Sequence, residues 1–197
     1  RHRAANRTAV PRGHERADGE GGTGTRPGTE SQRELDQDRE LVYGQWHKED
    51  SGGAVDAVHV NVSWQQQMEE RDRLRTPSTP GDPPRQDLQG FTVDTLGIWA
   101  SLDSDTAIGK LTYGAEWYHD WVSSFSSSNP IQGPIADDAT YDTVGVYLQD
   151  EIAIGKRASV IAGARFNYAA TDAKSVSDPN GGGQIRIKDD WNAFVGS

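Results

Sequence analysis

The chain has 197 residues, a formal charge of -10 at pH 7 and a sequence pI near 4.9. That acidic balance excludes the basic face of a general nucleic-acid binder, so no nucleic-acid partner is expected. The absence of cysteine excludes disulfides and thiolate metal sites, and no run of about 18 apolar residues offers a transmembrane helix.

Residues 1–40 contain no Phe, Tyr or Trp, and Val10 and Leu35 are their only large aliphatics. So little apolar surface does not offset the entropy of ordering, and a disordered or loop segment is expected there. Gly19, Gly21 and Gly24 fall into a G-x-G-x-x-G spacing, but the strand and helix that a nucleotide-binding turn needs are missing, and Arg26-Pro27 follows. The spacing reads as plain loop.

From Leu41 the pattern becomes β, and about seven antiparallel strands are expected over 41–197. The first covers 41–49 and turns at Asp50-Ser51-Gly52-Gly53. Val58, Val60, Val62 and Trp64 then alternate with His59, Asn61, Ser63 and Gln65. The polar stretch 65–75 is rich in helix formers, yet it is read as a strand running out into a loop. A Pro-rich loop at 76–84 ends it. Leu96, Ile98, Ala100 and Leu102 share one face of the next strand. Phe91 and Val93 lie in the opposite phase, so a bulge or face change is expected near Asp94.

Residues 110–121 alternate most regularly, with Leu111, Tyr113, Ala115, Trp117 and Trp121 opposing Thr112, Gly114, Glu116, Tyr118 and Asp120. A polar loop is expected at 122–140. A hairpin over 141–170 turns at Ile154, Gly155, Lys156 and Arg157. Its second strand puts Val160, Ala162, Ala164, Phe166 and Tyr168 on one face. Ser159, Gly163, Arg165 and Asn167 fall on the other, with Ile161 the exception. A second long loop is expected at 171–189, and a final strand from about Asp190.

The expected connections alternate short and long. Up-and-down antiparallel strands put alternate connections at opposite ends, so all the tight turns gather at one end and all the long loops at the other. Outer-membrane barrels have this asymmetry, and Greek-key sandwiches have no reason to keep it. A mean hydropathy of -0.77 is compatible with such a barrel, because only alternate strand residues meet lipid. Trp117, Trp121 and Tyr141 fall near the long-loop ends, where an interfacial aromatic girdle belongs.

At this point the residues resemble a known family. The run GVYLQDEIAIGKRASVIAGARFNY is similar to a barrel hairpin of the TonB-dependent outer-membrane receptors. One strand there ends in Y-x-Q-D-E (Tyr147, Gln149, Asp150, Glu151), and the next carries A-G-x-R (Ala162, Gly163, Arg165). LTYGAEWYHDW at 111–121 and VDTLG at 93–97 are compatible with neighbouring strands of that family.

The resemblance spans roughly 41–197. It implies an all-β fold, part of a transmembrane barrel of some twenty-two antiparallel up-and-down strands closed by an N-terminal plug. Such a receptor takes up a scarce nutrient, such as an iron-siderophore or cobalamin, at the bacterial outer membrane. Its partners are outer-membrane lipid, a small-molecule ligand such as a metal chelate, and the TonB complex, which is contacted through N-terminal parts.

The sequence opens without Met and closes inside a strand, so it reads as a piece of a larger protein that lacks plug and closure. A piece of this size is expected not to transport alone, and uptake by membranes carrying only residues 1–197 would contradict that. The competing reading is a soluble all-β domain that stacks a carbohydrate on Trp99, Trp117 and Tyr118. A second sheet packed over the apolar face would mark that case.

Chemistry sites are sparse. Glu116, Tyr118 and Arg165, with Asn167, are expected on the luminal face, and His119 at the external rim, as candidate ligand contacts or as hydrated wall. His47, His59 and His119 have no second ligand at a spacing that fixes a metal, so no metal site is expected. Asp137-Asp138 and Asp178-Pro179-Asn180 carry only fragments of a calcium loop and read as turns. Asn61-Val62-Ser63 is a glycosylation pattern inside a strand. Nothing is arranged for catalysis, so neither enzyme activity nor a cofactor is expected.

Overall fold

The β-branched and aromatic alternation between Val58 and Tyr168 fits strands half-exposed to something apolar, and strands are what form. The computed structural model describes residues 2–8, 30–50, 53–77, 81–127, 136–155, 157–178 and 183–196. These residues form β1 (His2–Thr8), β2 (Glu30–Glu49), β3 (Ala57–Arg75), β4 (Arg85–Asp105), β5 (Gly109–Ser126), β6 (Asp137–Ile154), β7 (Ala158–Ser177) and β8 (Gln184–Gly196). They lie in one eight-stranded sheet whose spatial order is the chain order. The fold is therefore all-β and up-and-down, with β1 and β8 at the edges of an open sheet.

The pairing of β5 with β6, β6 with β7 and β7 with β8 is antiparallel, and it puts Ala115 opposite Val146, Val146 opposite Phe166 and Phe166 opposite Phe194. Because side chains alternate, this register gathers Tyr113, Ala115, Trp117, Val144, Val146, Leu148, Ala164, Phe166 and Tyr168 on one apolar face. The opposite, polar face collects Thr112, Glu116, Tyr118, Tyr147, Arg165 and Asn167. The hairpin turns where the sequence places it, between Ile154 and Ala158, with Gly155 at φ 67° supplying the left-handed residue.

The distribution of burial is inverted relative to a water-soluble domain. Among the described residues, the buried hydrophobics are only Ala169 and Ala173, whereas Arg73, Asp87, Gln89, Ser101 and Ser104 are buried polar groups. Val146 is 44% exposed, Leu148 49%, Phe166 40% and Phe194 73%. Each large side chain left in water forgoes about 1.5–3 kcal/mol of burial, so a whole face of them needs an apolar medium to cover it.

Several strands run further than their hydrophobic alternation predicts. β3 continues to Arg75, β4 starts at Arg85, β5 reaches Ser126, β6 starts at Asp137, β7 reaches Ser177 and β8 starts at Gln184. The loops expected at 122–140 and 171–189 shrink accordingly. β7 absorbs one extra residue against β8 between Ala173 and Val176, a bulge within what was expected to be loop. β4 continues as strand through Asp94, which shares a face with Leu96 and accepts a 3.0 Å hydrogen bond from Gln66.

Strand also occupies part of the segment expected to be disordered or loop. β1 and the start of β2 lie within residues 1–40, with His2 opposite Arg39 and Thr8 opposite Arg33. Backbone ladders do not require apolar side chains. The glycine motif at Gly19–Gly24 lies outside the described residues.

The chain divides into two compact units. The first comprises Arg1–Arg39, Gln67–Thr92 and Ser124–Ile135, and the second Glu40–Gln66, Val93–Ser123 and Ala136–Ser197. The first unit is held by polar cross-strand pairs. Gln37 donates to Glu69 at 2.6 Å, Gln86 to Asp72 at 2.7 Å, Ser31 to the Leu74 carbonyl at 3.0 Å, and Arg71 to Gln89. At its centre Asp87, 1% exposed, faces Arg75 at 2.9 Å, Arg85 at 3.2 Å and Arg73 at 3.8 Å. The second unit holds the apolar face and all the candidate site residues.

Candidate functional site

Of the four candidate contacts, Glu116, Tyr118 and Arg165 lie on the polar face. Glu116 and Arg165 reach each other across β6, passing over Gly145, and form an ion pair; Arg165 also donates through Nε to Asn167 at 2.7 Å. A Cβ on Gly145 would come within 2.7 Å of the Arg165 guanidinium and 3.0 Å of Glu116, so the absent side chain makes room for the bridge.

Tyr118 stands apart from that pair. It joins Leu41, Tyr43, Gln45, Asn61, Ser63, Gly97 and Trp99 around an open cleft of about 360 Å³. Gly97 forms its floor, since a Cβ there would meet the Tyr118 ring at 2.6 Å and Ser63 Oγ at 2.8 Å. The cleft therefore offers aromatic faces beside amide and hydroxyl groups. Such a lining suits an uncharged polar ligand better than an ion.

His119 lies on the other face. Its Nδ1 sits 2.6 Å from Asp142 Oδ1, and Trp117 Nε1 donates to the same oxygen at 3.2 Å. The Trp121 ring meets His119 edge-on with ring centres 4.3 Å apart. Trp117, His119 and Trp121 thus form a ladder tied to Asp142, just beyond Val144, Val146 and Leu148. That is the chemistry of an apolar-to-polar border, where amphipathic rings are at home. The expected girdle includes Tyr141, but Tyr141 packs on the polar face against Trp191, ring centres 5.8 Å apart. Odd-numbered β6 residues all point that way.

The sugar-stacking trio is divided as well. Trp99 and Tyr118 share the cleft, while Trp117 is on the opposite face with Asp142. No second sheet covers the apolar face among the described residues.

Residue spacing along the chain gave no hint of one further group. His47 and His59 lie on adjacent strands with Nδ1 atoms 2.8 Å apart. Both sit at tight-turn ends of their strands, and only the register could have paired them. Among the described residues, no three or more His, Cys, Asp or Glu side chains group around a possible metal position.

Comparison with known proteins agrees with this architecture. The family described as TonB dependent receptor-like, beta-barrel, matches residues 2–197. No curated protein matches the chain by sequence. Among solved structures, the copper transporter OprC superposes with a TM-score of 0.59 at 16% identity, over 84% of this chain and 27% of that one. At that identity the likeness speaks for the fold alone, and the chain spans little more than a quarter of the transporter's length. The match to the family runs through nearly every residue, and the chain belongs to the TonB-dependent receptor-like β-barrel family.

Proposed function

We propose that this chain is wall of an outer-membrane receptor barrel that takes up a scarce small-molecule nutrient, such as a metal chelate or cobalamin. The observation that carries the proposal is the uncovered apolar face of a single up-and-down sheet, ending in the Trp117–His119–Trp121 border on Asp142. Lipid is the medium that such a face matches, since strands between two neighbours satisfy their backbone groups within the sheet and present only side chains to hydrocarbon. The polar face then lines the barrel interior, where Glu116 and Arg165 form hydrated wall and the Tyr43–Trp99–Tyr118 cleft is the stretch most able to touch a passing ligand.

Energy for uptake would come from the TonB complex through other parts of the full-length protein. The copper in the name of the structural neighbour belongs to that protein, and metal chelates are proposed here only as a class.

The test is uptake of labelled ferric siderophores, cobalamin and copper chelates by cells expressing the full-length protein, with and without an intact TonB system. Accumulation of one ligand class that vanishes without TonB is expected. Equal accumulation in both backgrounds, or none of any class, would contradict the reading.

A further inference from the structure

His47 on β2 and His59 on β3 are arranged in a way that ordinary hydrogen bonding does not explain well. Their Nδ1 atoms are 2.8 Å apart, and their ring centres are 4.2 Å apart with planes inclined at 36°. A straight N–H···N bond of that length would set the ring centres about 5.1 Å apart, because each ring would extend directly away from the other. Two bonds of about 2.0 Å to one metal ion, at a right angle, would set the nitrogens about 2.8 Å and the ring centres about 4.4 Å apart. The observed pair is closer to the second geometry.

The far nitrogen of His47 supports the same assignment. His47 Nε2 lies 3.1 Å from Glu49 Oε1, within hydrogen-bond distance, whereas His59 Nε2 lies 3.9 Å from Asp103 Oδ2, near enough for a charge interaction only. A carboxylate beyond the far nitrogen holds a ring in the tautomer whose hydrogen is on that nitrogen, as behind metal-ligating histidines. In that tautomer the His47 Nδ1 lone pair faces His59 Nδ1, where a cation bound by both nitrogens would sit. Lys110 Nζ is 3.1 Å from the same Asp103 oxygen, Oδ2, that faces His59, so this carboxylate is shared between the lysine and the ring. Both imidazoles are solvent-accessible, so an ion has a path in.

We infer that His47 and His59 form a two-nitrogen site for a divalent transition-metal ion that favours cis, tetragonal coordination. Cu²⁺ is the first choice and Ni²⁺ the second, with water completing the coordination. The inference rests on this local geometry and does not depend on the membrane reading or on the transported ligand.

The test uses the full-length protein in detergent micelles, titrated with copper sulfate and read by electron paramagnetic resonance and calorimetry. The expected result is a Cu²⁺ signal with coupling to two imidazole nitrogens, weakened by acid because protons compete with the metal for its ligands. His47→Gln and His59→Gln each abolish it, His119→Gln leaves it intact, and Glu49→Gln weakens affinity by about tenfold or more. If a variant fails to fold, protection of His47 and His59 from diethyl pyrocarbonate by Cu²⁺ is read on the parent protein instead. A copper signal that survives both histidine variants, or no Cu²⁺ protection of these two rings, would overturn the site and leave a proton-sharing pair.

Discussion

Residues 67–75 and 158–168 are both strand, yet only the second stretch alternates. In β7, Val160, Ala162, Ala164 and Phe166 take one face and Gly163, Arg165 and Asn167 the other. In β3, Glu69, Glu70, Arg71, Asp72, Arg73 and Arg75 put charge on both faces. The backbone ladder is common to the two, so the difference lies in what each face touches. Alternation marks a sheet between two media, and its loss marks a sheet with water or polar partners on both sides. The polar stretch is then held by cross-strand ion pairs, where the alternating one leaves a whole apolar face for another medium to cover.

That contrast can be broken from the polar side first. Asp87→Ala removes the carboxylate shared by Arg73, Arg75 and Arg85 and leaves their charges crowded, Arg73 being itself buried. Loss of one partner from a buried ion cluster costs about 3–5 kcal/mol. Proteolysis should open the chain near residues 72–88 in the variant while the hairpin turning at Gly155 keeps its protection. Uniform protection in variant and parent would show that the arginines hold nothing together.

From the apolar side, Phe166→Arg puts a charge in the band and is expected to cost about 2–4 kcal/mol if lipid lies there. The adjacent Asn167→Arg, one residue on and facing the other way, should be close to neutral. Urea unfolding from lipid vesicles compares the two. Equal effects would remove the distinction between faces.

A smaller effect is expected at the Glu116–Arg165 pair, which is partly exposed. A double-mutant cycle with Glu116→Gln and Arg165→Gln should return a coupling of about 1 kcal/mol or less, as solvent-screened pairs do. Strong coupling would promote the pair from wall to constrained site.

The smallest effect is a matter of pH. Beyond the Asp142 border on the loop side, Arg186 donates to Asp172 through Nε at 2.7 Å, and that hydrogen bond with the adjacent charge lowers the Asp172 pKa below 3.8 and raises that of Arg186. A carboxylate with a depressed folded-state pKa contributes its stability above the unfolded value and loses it as pH falls through the folded one. Asp172→Asn should therefore be slightly less stable than the parent at neutral pH and indistinguishable from it at acid pH below the folded pKa. A difference that persists there would assign the effect to packing.

The sequence makes the apolar half of the fold readable because one apolar and one polar face write a period of two into Leu111–Trp117, Val144–Leu148 and Val160–Tyr168. The polar extensions are hidden for the same reason, since Asp172, Lys174 and Gln184 carry no such period even though they are strand. Glu116, Tyr118 and Arg165 can be placed by parity alone. The partnership of Glu116 with Arg165 across Gly145, the pairing of His47 with His59, and the reach of Trp117 and His119 to Asp142 all depend on inter-strand register, which no single strand records.

The central claim is that the face holding Val160, Ala162, Ala164 and Phe166 meets lipid. The sequence contains no cysteine, so single cysteines placed along 160–168 give one spin label each within this chain. In the full-length protein reconstituted in vesicles, accessibility to dissolved oxygen should peak at positions 160, 162, 164 and 166. Accessibility to a water-soluble nickel chelate should peak at 163, 165 and 167. Oxygen and nickel profiles that rise and fall together, with no period of two, would contradict the account.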